Sequence, residues 1–305
     1  MFDEDGLPAS AMNEPTPSDL TLREPTPDEA GRIGHFFRNV SLPPGTQILA
    51  AVRSRPIERF VAAVACWPEG NIVRFRLACQ PGVPRSGVAN LLIQRVEEGA
   101  RTAGVNTIHY AESLADDSEW CAILREHGFE RLHSERFFEV PGLEAWTRVM
   151  EIFEKYQARM PSGWRTESIR HHPPELALDV IGEHRLMPPG ELRACWRTDS
   201  SAAFELDLSS FLFDGVRAIG ALLTRRMQDT LCIDVRVVRV ENPRLRALGN
   251  ACLLHHVASR CGLNGGPIHW LRFRAGEIEH RETANLAFRM KGHELPPRHV
   301  FGKKL

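Results

Sequence analysis

The stretch Gly87-Val88-Ala89-Asn90-Leu91-Leu92 decides the fold, because the same Gly-x-Ala-x-Leu-Leu spacing returns at Gly249-Asn250-Ala251-Cys252-Leu253-Leu254. Each copy follows a strand-like run, opens a helix-like run and reaches another strand about twenty residues later. A strand, a turn with small residues, a helix and a strand form a βαβ unit. Its helix N-terminus presents backbone N–H groups that suit a phosphate. Two such units about 162 residues apart predict a duplicated ligand-binding domain.

Length and composition limit the classes of protein to be considered. The chain has 305 residues, 43% of them hydrophobic and 25% charged, which is typical of about two globular domains. The formal net charge of −1 argues against a protein built to coat nucleic acid or an anionic membrane. The chain has no apolar run as long as a membrane span, and its acidic start does not resemble a secretory signal. We therefore expect a cytoplasmic protein.

Cysteine and histidine usage argues against a metal centre. The seven cysteines are scattered and form no Cys-x-x-Cys pair, which indicates reduced thiols rather than disulfides or a zinc site. The pairs His171-His172 and His255-His256 are adjacent, so their side chains point to different faces of a helix or strand. We expect no bound metal.

The order of predicted elements divides the chain into two similar halves. Residues 1–19 are acidic and contain three prolines, which predicts a disordered tail. Residues 20–141 form an N-terminal domain, residues 142–165 a connecting amphipathic helix, and residues 166–305 a C-terminal domain. Each domain combines antiparallel strands with one βαβ unit. This predicts an α+β or α/β fold with a mixed, mostly antiparallel central sheet flanked by helices.

The strands and helices are predicted from the spacing of apolar residues, which alternate in strands and recur every three or four positions in helices. The predicted strands are 47–52, 59–67, 71–79, 107–111, 129–140, 204–213, 216–225, 231–240, 268–274 and 298–301. The predicted helices after the first domain's opening segment are 87–104, 117–127, 143–159, 175–195 with a Pro-Pro-Gly break, 244–261 and 283–290.

The motif at the two long helices resembles the hallmark of the GNAT superfamily of N-acetyltransferases, Gln/Arg-x-x-Gly-x-Gly/Ala. The second half matches it as Arg246-Ala247-Leu248-Gly249-Asn250-Ala251. The first half matches in part, with Pro84 where Gln or Arg is usual. By this measure the second half carries the better phosphate loop.

Other segments extend the resemblance along the chain. Asn285, Ala287 and Gly292 are similar to the family's later Asn-x-x-Ala…Gly segment, and Gly128-Phe129 is similar to the end of the corresponding helix in the first half. Order and spacing cover about residues 20–140 and 167–301. The chain therefore resembles a tandem GNAT protein with two GNAT-like domains.

The resemblance implies acetyl-CoA, or another acyl-CoA, as co-substrate. The family holds the pyrophosphate at the helix N-terminus, and the strand before it pairs with the pantetheine arm. Here those strands are 76–79 and 237–240. The implied cofactor-binding residues are Cys79, Arg85, Ser86, Gly87, Val88, Ala89, Val238, Val240, Arg246, Leu248, Gly249, Asn250, Ala251 and Asn285.

Catalytic residues are less well defined by the sequence. The family commonly places a general-acid Tyr four residues before the helix-ending Gly, where this chain has Leu124 and Phe288. Glu112 and Glu277 end the strands after the long helices, where the family often has a base. Tyr110 lies on one of these strands and either faces the cleft or packs in the core.

Two functions are consistent with these residues. The first is an acyl-CoA-dependent N-acyltransferase that acetylates a primary amine of a small molecule or peptide, with one or both domains active. The second is a non-catalytic acyl-CoA sensor or interaction protein with degenerate GNAT domains, which the missing Tyr favours. For either, we expect no nucleic-acid or membrane partner and either a monomeric pseudo-dimer or a homodimer.

Overall fold

The computed structural model describes residues 20–37, 40, 42–54, 57–182, 187–197, 202–261, 268–275 and 280–305. The predicted tail, residues 1–19, lies outside them. The strands of the first half are β1 (Leu20–Arg23), β2 (Gln47–Arg53), β3 (Arg59–Glu69), β4 (Ile72–Cys79), β5 (Thr107–Tyr110), β6 (Leu114–Ala115) and β7 (Glu130–Pro141). Its helices are α1 (Ala30–Gly34), α2 (Arg85–Thr102) and α3 (Glu119–Glu126).

The second half begins with the helix that joins the halves. Its helices are α4 (Gly142–Tyr156), α5 (Pro174–Ile181), α6 (Pro189–Cys195), α7 (Pro243–Ala258) and α8 (His280–Arg289). Its strands are β8 (Trp164–Ser168), β9 (Ser210–Asp214), β10 (Arg217–Met227), β11 (Thr230–Val238), β12 (Trp270–Ala275), β13 (His293–Glu294) and β14 (Arg298–Lys304).

All described strands belong to one sheet that runs through both halves. The order is β1-β2-β3-β4-β5-β14-β7-β12-β11-β10-β9-β8, with β6 beside β14 and β13 beside β7. Within the described residues, only β4–β5 and β11–β12 are parallel pairs. The predicted mixed, mostly antiparallel sheet flanked by helices is confirmed.

The two halves exchange strands at the centre of this sheet. The last strand, β14, lies between β5 and β7, so the C-terminus of the chain completes the sheet of the first half. The long strand β7 pairs with β14 over residues 130–135 and with β12 over residues 136–141. The sequence analysis assigned strand 298–301 to the second half. Its observed position depends on contacts between residues far apart in the chain, which the sequence does not show. The domain boundaries at 141 and 166 stay predictions.

Strand β14 is anchored to the helices of the first half. Phe301 is 1% exposed and packs in the core under α2 and α3. The Lys303 ammonium lies 2.6 Å from Oε1 of Glu97 on α2 and donates to the carbonyl of His127 at 2.7 Å. A partly buried ion pair of this kind links the last strand to the helix that opens with the Gly87 motif.

Helix α2 forms because its apolar residues recur at helical spacing. The buried apolar residues are Val88, Ala89, Leu92, Ile93, Val96 and Ala100. They cover one face of the sheet together with α3, and α1 covers the opposite face. In the second half, α4 and α7 cover one face and α5 and α6 the other. The sheet is therefore buried on both faces along much of its length.

Two predicted elements are longer than the observed ones. Helix α4 ends at Tyr156, and one 3-10 turn, Gln157–Arg159, follows it. Pro161 cannot continue a helix, and Trp164 already begins β8, so the predicted connecting helix 142–165 is too long. Residues 204–209 form turns ahead of β9 rather than the start of a strand, since the N–H of Ser209 donates to the carbonyl of Glu205.

The anchoring of β14 predicts a large effect of a substitution near the C-terminus. Phe301→Ala removes a fully buried ring, so we expect the free energy of unfolding to fall by about 3–5 kcal/mol. Lys304→Ala, on the exposed end of the same strand, is the matched control and is expected to change it by less than about 0.5 kcal/mol. Urea unfolding measures both values. Equal, small effects would mean that β14 does not stabilise the first half.

Candidate functional site

Strands β4 and β5 diverge after a short parallel pairing. They pair over only three residue pairs, and the last pair joins Phe75 to Tyr110. Strand β4 continues to Cys79 and there pairs only with β3. We call the space beside residues 76–79 the β4–β5 gap. It leaves one edge of β4 without a strand partner.

The hydrogen bonds at either end of this segment show which groups face the gap. The N–H of Ala111 donates to the carbonyl of Phe75, so the main-chain groups of Phe75 point toward β5. The N–H of Gln80 donates to the opposite neighbour, β3. Successive residues of a strand direct their main-chain groups to alternate sides. Leu77 and Cys79 therefore present their N–H and C=O groups to the gap.

The N-terminus of α2 lies at the open end of the gap. The helix begins at Arg85, and the preceding Pro84 provides no side-chain cap. The N–H groups of Arg85, Ser86 and Gly87 therefore have no intrahelical acceptor. A Cβ atom placed on Gly87 would meet no atom within 4 Å. No described protein atom therefore fills the space beside Gly87, and the binding role predicted for this N-terminus stays a prediction.

Side chains beside this N-terminus modify its charge. The Arg85 guanidinium lies 3.1 Å from a carboxylate oxygen of Glu119 and 5.3 Å from the ring centre of Trp120. Part of its charge is therefore neutralised by α3. Burial raises the pKa of the Cys79 thiol to about 12, so this thiol stays protonated at neutral pH. Val88 and Ala89 point into the core, so only their main-chain groups are available to a ligand.

The second half contains a similar divergence of strands. Strands β11 and β12 pair in parallel from Thr230 to Ile233, whose partner is Phe273. Strand β11 continues to Val238, and Val240 lies beyond its end. The sequence matched Ile108-His109-Tyr110 with Ile268-His269-Trp270. Tyr110 belongs to the last residue pair before β4 and β5 diverge. The residue in the same position of the second half is Phe273 rather than Trp270.

The N-terminus of α7 differs from that of α2, because its donors are already used. Pro243, the first helical residue, has no N–H group. The Asn242 side chain accepts hydrogen bonds from the N–H groups of Arg244 and Leu245 at 2.9 and 3.3 Å. The N–H of Arg246 donates to the Asn242 carbonyl at 2.9 Å. The predicted helix start at 244 lies within one residue of the observed start, and Gly249 is the seventh residue of α7, so this copy of the motif lies inside the helix rather than at its opening.

Gly249 lies inside α7 and serves a packing role. A Cβ atom at this position would lie 2.8 Å from Cγ1 of Val238 and 3.0 Å from Cδ2 of Leu212. The small residue therefore allows α7 to approach β9 and β11 closely. Helix geometry directs the N–H groups of residues 248–251 to carbonyls in the preceding turn, so they are not free for a ligand.

The remaining cofactor candidates of the second half also have protein contacts. Arg246 lies 3.4 Å from a carboxylate oxygen of Glu282. Asn250 donates from Nδ2 to the carbonyl of Arg246 at 3.1 Å, while its buried Oδ1 has no hydrogen-bond partner among the described residues. Asn285 is exposed on α8. Their assignment to a cofactor stays a prediction.

Of the two catalytic candidates, Glu112 lies among the described residues and Glu277 does not. Glu112 lies between two guanidinium groups, 3.0 Å from Arg76 and 3.4 Å from Arg298. Leu124, on α3, is fully buried, and Phe288 is 55% exposed. Neither supplies a hydroxyl group.

The sequence missed the main-chain donors of Leu77 and the cap of α7. The alternation of main-chain groups along β4 depends on the point at which β5 departs, and the sequence does not show it. The cap could have been read, because Asn before Pro is a common start of a helix. Among the described residues, no helix is long and apolar enough to cross a membrane. Those residues also contain no group of three or more His, Cys, Asp and Glu that could hold a metal ion.

Two diverging parallel strand pairs, each followed by a long helix in one continuous sheet, define a duplicated mixed-sheet fold. No family model and no curated protein matches the chain. Solved structures match it over nearly its whole length. A GCN5-related N-acetyltransferase from Sphaerobacter thermophilus is 14% identical, with TM-score 0.58, over 95% of this chain and 97% of that chain.

Two further structures show the same likeness. A tandem GNAT protein from the clavulanic acid biosynthesis pathway, solved without AcCoA, is 14% identical, with TM-score 0.62, over 93% of this chain and 98% of that one. A GCN5-related N-acetyltransferase from Kribbella flavida is 14% identical, with TM-score 0.54, over 94% and 72%. The chain therefore has the tandem GNAT fold.

The two glycines provide a direct comparison of the two N-termini. Gly249→Ala places a methyl group against Val238, so we expect the free energy of unfolding to fall by about 1–3 kcal/mol. Gly87→Ala enters open space within a helix and is expected to raise it by up to about 1 kcal/mol. Thermal or urea unfolding of both variants measures the difference. A loss of stability in Gly87→Ala would show that its N-terminus is packed rather than open.

Proposed function

We propose that this protein is an acyl-CoA-dependent N-acyltransferase whose acyl-CoA site is the β4–β5 gap of the first half. One combination of features supports the proposal. An unpaired strand edge at Leu77 and Cys79 leads to a helix N-terminus whose first N–H groups are free and whose Gly87 faces open space. The solved structures with the same fold include N-acetyltransferases, which supports the same reaction class.

Each part of this site suits one part of an acyl-CoA molecule. The N–H groups of Arg85, Ser86 and Gly87, together with the helix dipole, would hold the pyrophosphate. The main-chain groups of Leu77 and Cys79 would pair with the amides of the pantetheine arm, as an added strand pairs with a sheet edge. The absence of a Cβ atom at Gly87 lets the backbone approach the phosphate oxygens.

The reaction is acyl transfer from a thioester to an amine. The neutral amine nitrogen forms a bond to the acyl carbon, the carbon–sulfur bond breaks, and sulfur leaves as a thiolate. The amine nitrogen then loses one proton, and the thiolate gains one. Acetyl is the proposed acyl group, and the acceptor is a primary amine of a small molecule or peptide.

Glu112 is better suited to positioning than to proton abstraction. Its Oε2 atom contacts Arg76 on β4 and its Oε1 atom contacts Arg298 on β14, so both carboxylate oxygens already have a guanidinium partner. A base needs a carboxylate oxygen that the amine can reach, so these contacts weaken Glu112 in that role. We propose that the two ion pairs hold β4 and β14 in register around the gap and that solvent accepts the proton of the amine.

The second half has a supporting role in this proposal. Its helix α7 has no free N–H group at the N-terminus, because Asn242 and Pro243 account for the first positions. It also contributes β14, which keeps β5 in place. We therefore propose one acyl-CoA per chain, in a cytoplasmic monomer that forms a pseudo-dimer by itself.

One observation favours a non-catalytic acyl-CoA sensor instead. Leu124 and Phe288 occupy the positions at which the resembled family commonly has its general-acid Tyr. A sensor would bind acyl-CoA without releasing CoA for any amine. Incubation with acetyl-CoA and a panel of amines, followed by titration of free thiol, separates the two functions.

A charge placed at the free N-terminus should block donor binding. Gly87→Glu puts a carboxylate where the pyrophosphate would lie, so we expect the affinity for acetyl-CoA to fall at least about tenfold by calorimetry. Gln94→Glu adds the same charge on the exposed face of the same helix and is the matched control, with less than about a twofold change expected. Equal affinities for both variants and the wild type would contradict the proposed site.

A further inference from the structure

Tyr110 carries a hydroxyl group that the rest of the protein leaves unpaired. The residue ends β5, is fully buried, and belongs to the last residue pair before β4 and β5 diverge. Within the described part of the chain its hydroxyl has no hydrogen-bond partner. Leaving a buried hydroxyl unpaired costs free energy, so such a group calls for a ligand or another explanation.

A main-chain donor of β4 shows where this hydroxyl lies. The main-chain N–H of Leu77 faces the β4–β5 gap, and the Leu77 side chain is 3% exposed. This N–H is directed at the Tyr110 oxygen, which places the hydroxyl beside the gap. A buried hydroxyl at this place whose own hydrogen lacks an acceptor is complementary to a partly negative oxygen atom.

The position of Tyr110 along the gap selects the atom that its hydroxyl would bind. Tyr110 lies at the closed end of the gap, and the α2 N-terminus lies beyond the open end. An acyl-CoA whose phosphates occupy that N-terminus reaches the closed end only with its acyl group. We propose that the Tyr110 hydroxyl binds the thioester carbonyl oxygen. This inference rests on the proposed acyltransferase function.

Tyr110 acts in this proposal as a neutral hydrogen-bond donor. Burial, and next the charge of Glu112, raise the pKa of Tyr110, so the phenol stays protonated. A thiol has a pKa of about 8.5, so proton transfer from this phenol to the departing thiolate is unfavourable. The hydroxyl stabilises the negative charge that develops on the carbonyl oxygen, and the thiolate takes its proton from solvent.

The second half provides an internal comparison. Its last pair before the strands diverge joins Ile233 to Phe273, so a phenyl ring occupies the position of Tyr110. Phe273 supplies no hydroxyl group, and Asn242 and Pro243 account for the first positions of α7. The hydroxyl group and the free helix N–H groups that would hold acyl-CoA are therefore present in the first half and missing from the corresponding positions of the second.

The test uses Tyr110→Phe in the full-length protein. The ligands are CoA and acetyl-carba(dethia)-CoA, a stable ketone in which a methylene group replaces the sulfur. We expect the variant to bind CoA as the wild type does, to bind the ketone about tenfold more weakly, and to have a lower kcat with acetyl-CoA. The free variant should melt at a higher temperature, because the unpaired hydroxyl is gone. Tyr156→Phe, which removes the other tyrosine hydroxyl, should leave all four values unchanged.

The outcomes separate this inference from the proposed function. If the wild type binds CoA and Tyr110→Phe keeps both the ketone affinity and kcat, Tyr110 does not contact the carbonyl oxygen and only this inference fails. If the wild type binds neither ligand, the acyl-CoA site fails and the role of Tyr110 fails with it. A purely structural role would lower the melting temperature of the variant and affect the binding of CoA and ketone equally.

Discussion

The early separation of β4 from β5 is the constraint on which the candidate site depends. Beyond Phe75 and Tyr110, the main-chain groups of β4 that face β5 have no strand partner. An open strand edge inside a sheet persists only if the departing strand is held elsewhere. Strand β14 does this, because it pairs with β5 on the side away from β4. The gap therefore depends on a strand from the far end of the chain.

The sequence predicted much of the fold because the signals concerned are local. The meander of β2, β3 and β4 and the start of α2 were placed within about two residues, since Pro and Gly interrupt each apolar run. The exchange of β7 and β14 could not be read in the same way. Strand β14 contains residues that suit either sheet, and its position follows from packing of Phe301 and the ion pair of Lys303, both with residues far away in the sequence.

The repeated motif was the strongest sequence signal, and it does not mean the same thing in both halves. Gly87 is the third residue of α2, whereas Gly249 lies farther inside α7, because Asn242 and Pro243 start that helix earlier. A small residue at a helix N-terminus exposes main-chain donors, but the same residue inside a helix only permits close packing on a strand. The motif match therefore ranked the second half higher, while the geometry of the donors favours the first.

The polar groups at corresponding positions of the two gaps give the same ranking. In the first half, the N–H groups at the start of α2 and the hydroxyl of Tyr110 are left without partners among the described residues. At the corresponding places in the second half, Asn242 caps the helix and Phe273 replaces the tyrosine. Unpaired buried donors lower stability, and a ligand that supplies the acceptors is one reason for a fold to keep them. A duplicated domain that has lost its ligand is free to fill the same positions with a cap and a hydrocarbon ring.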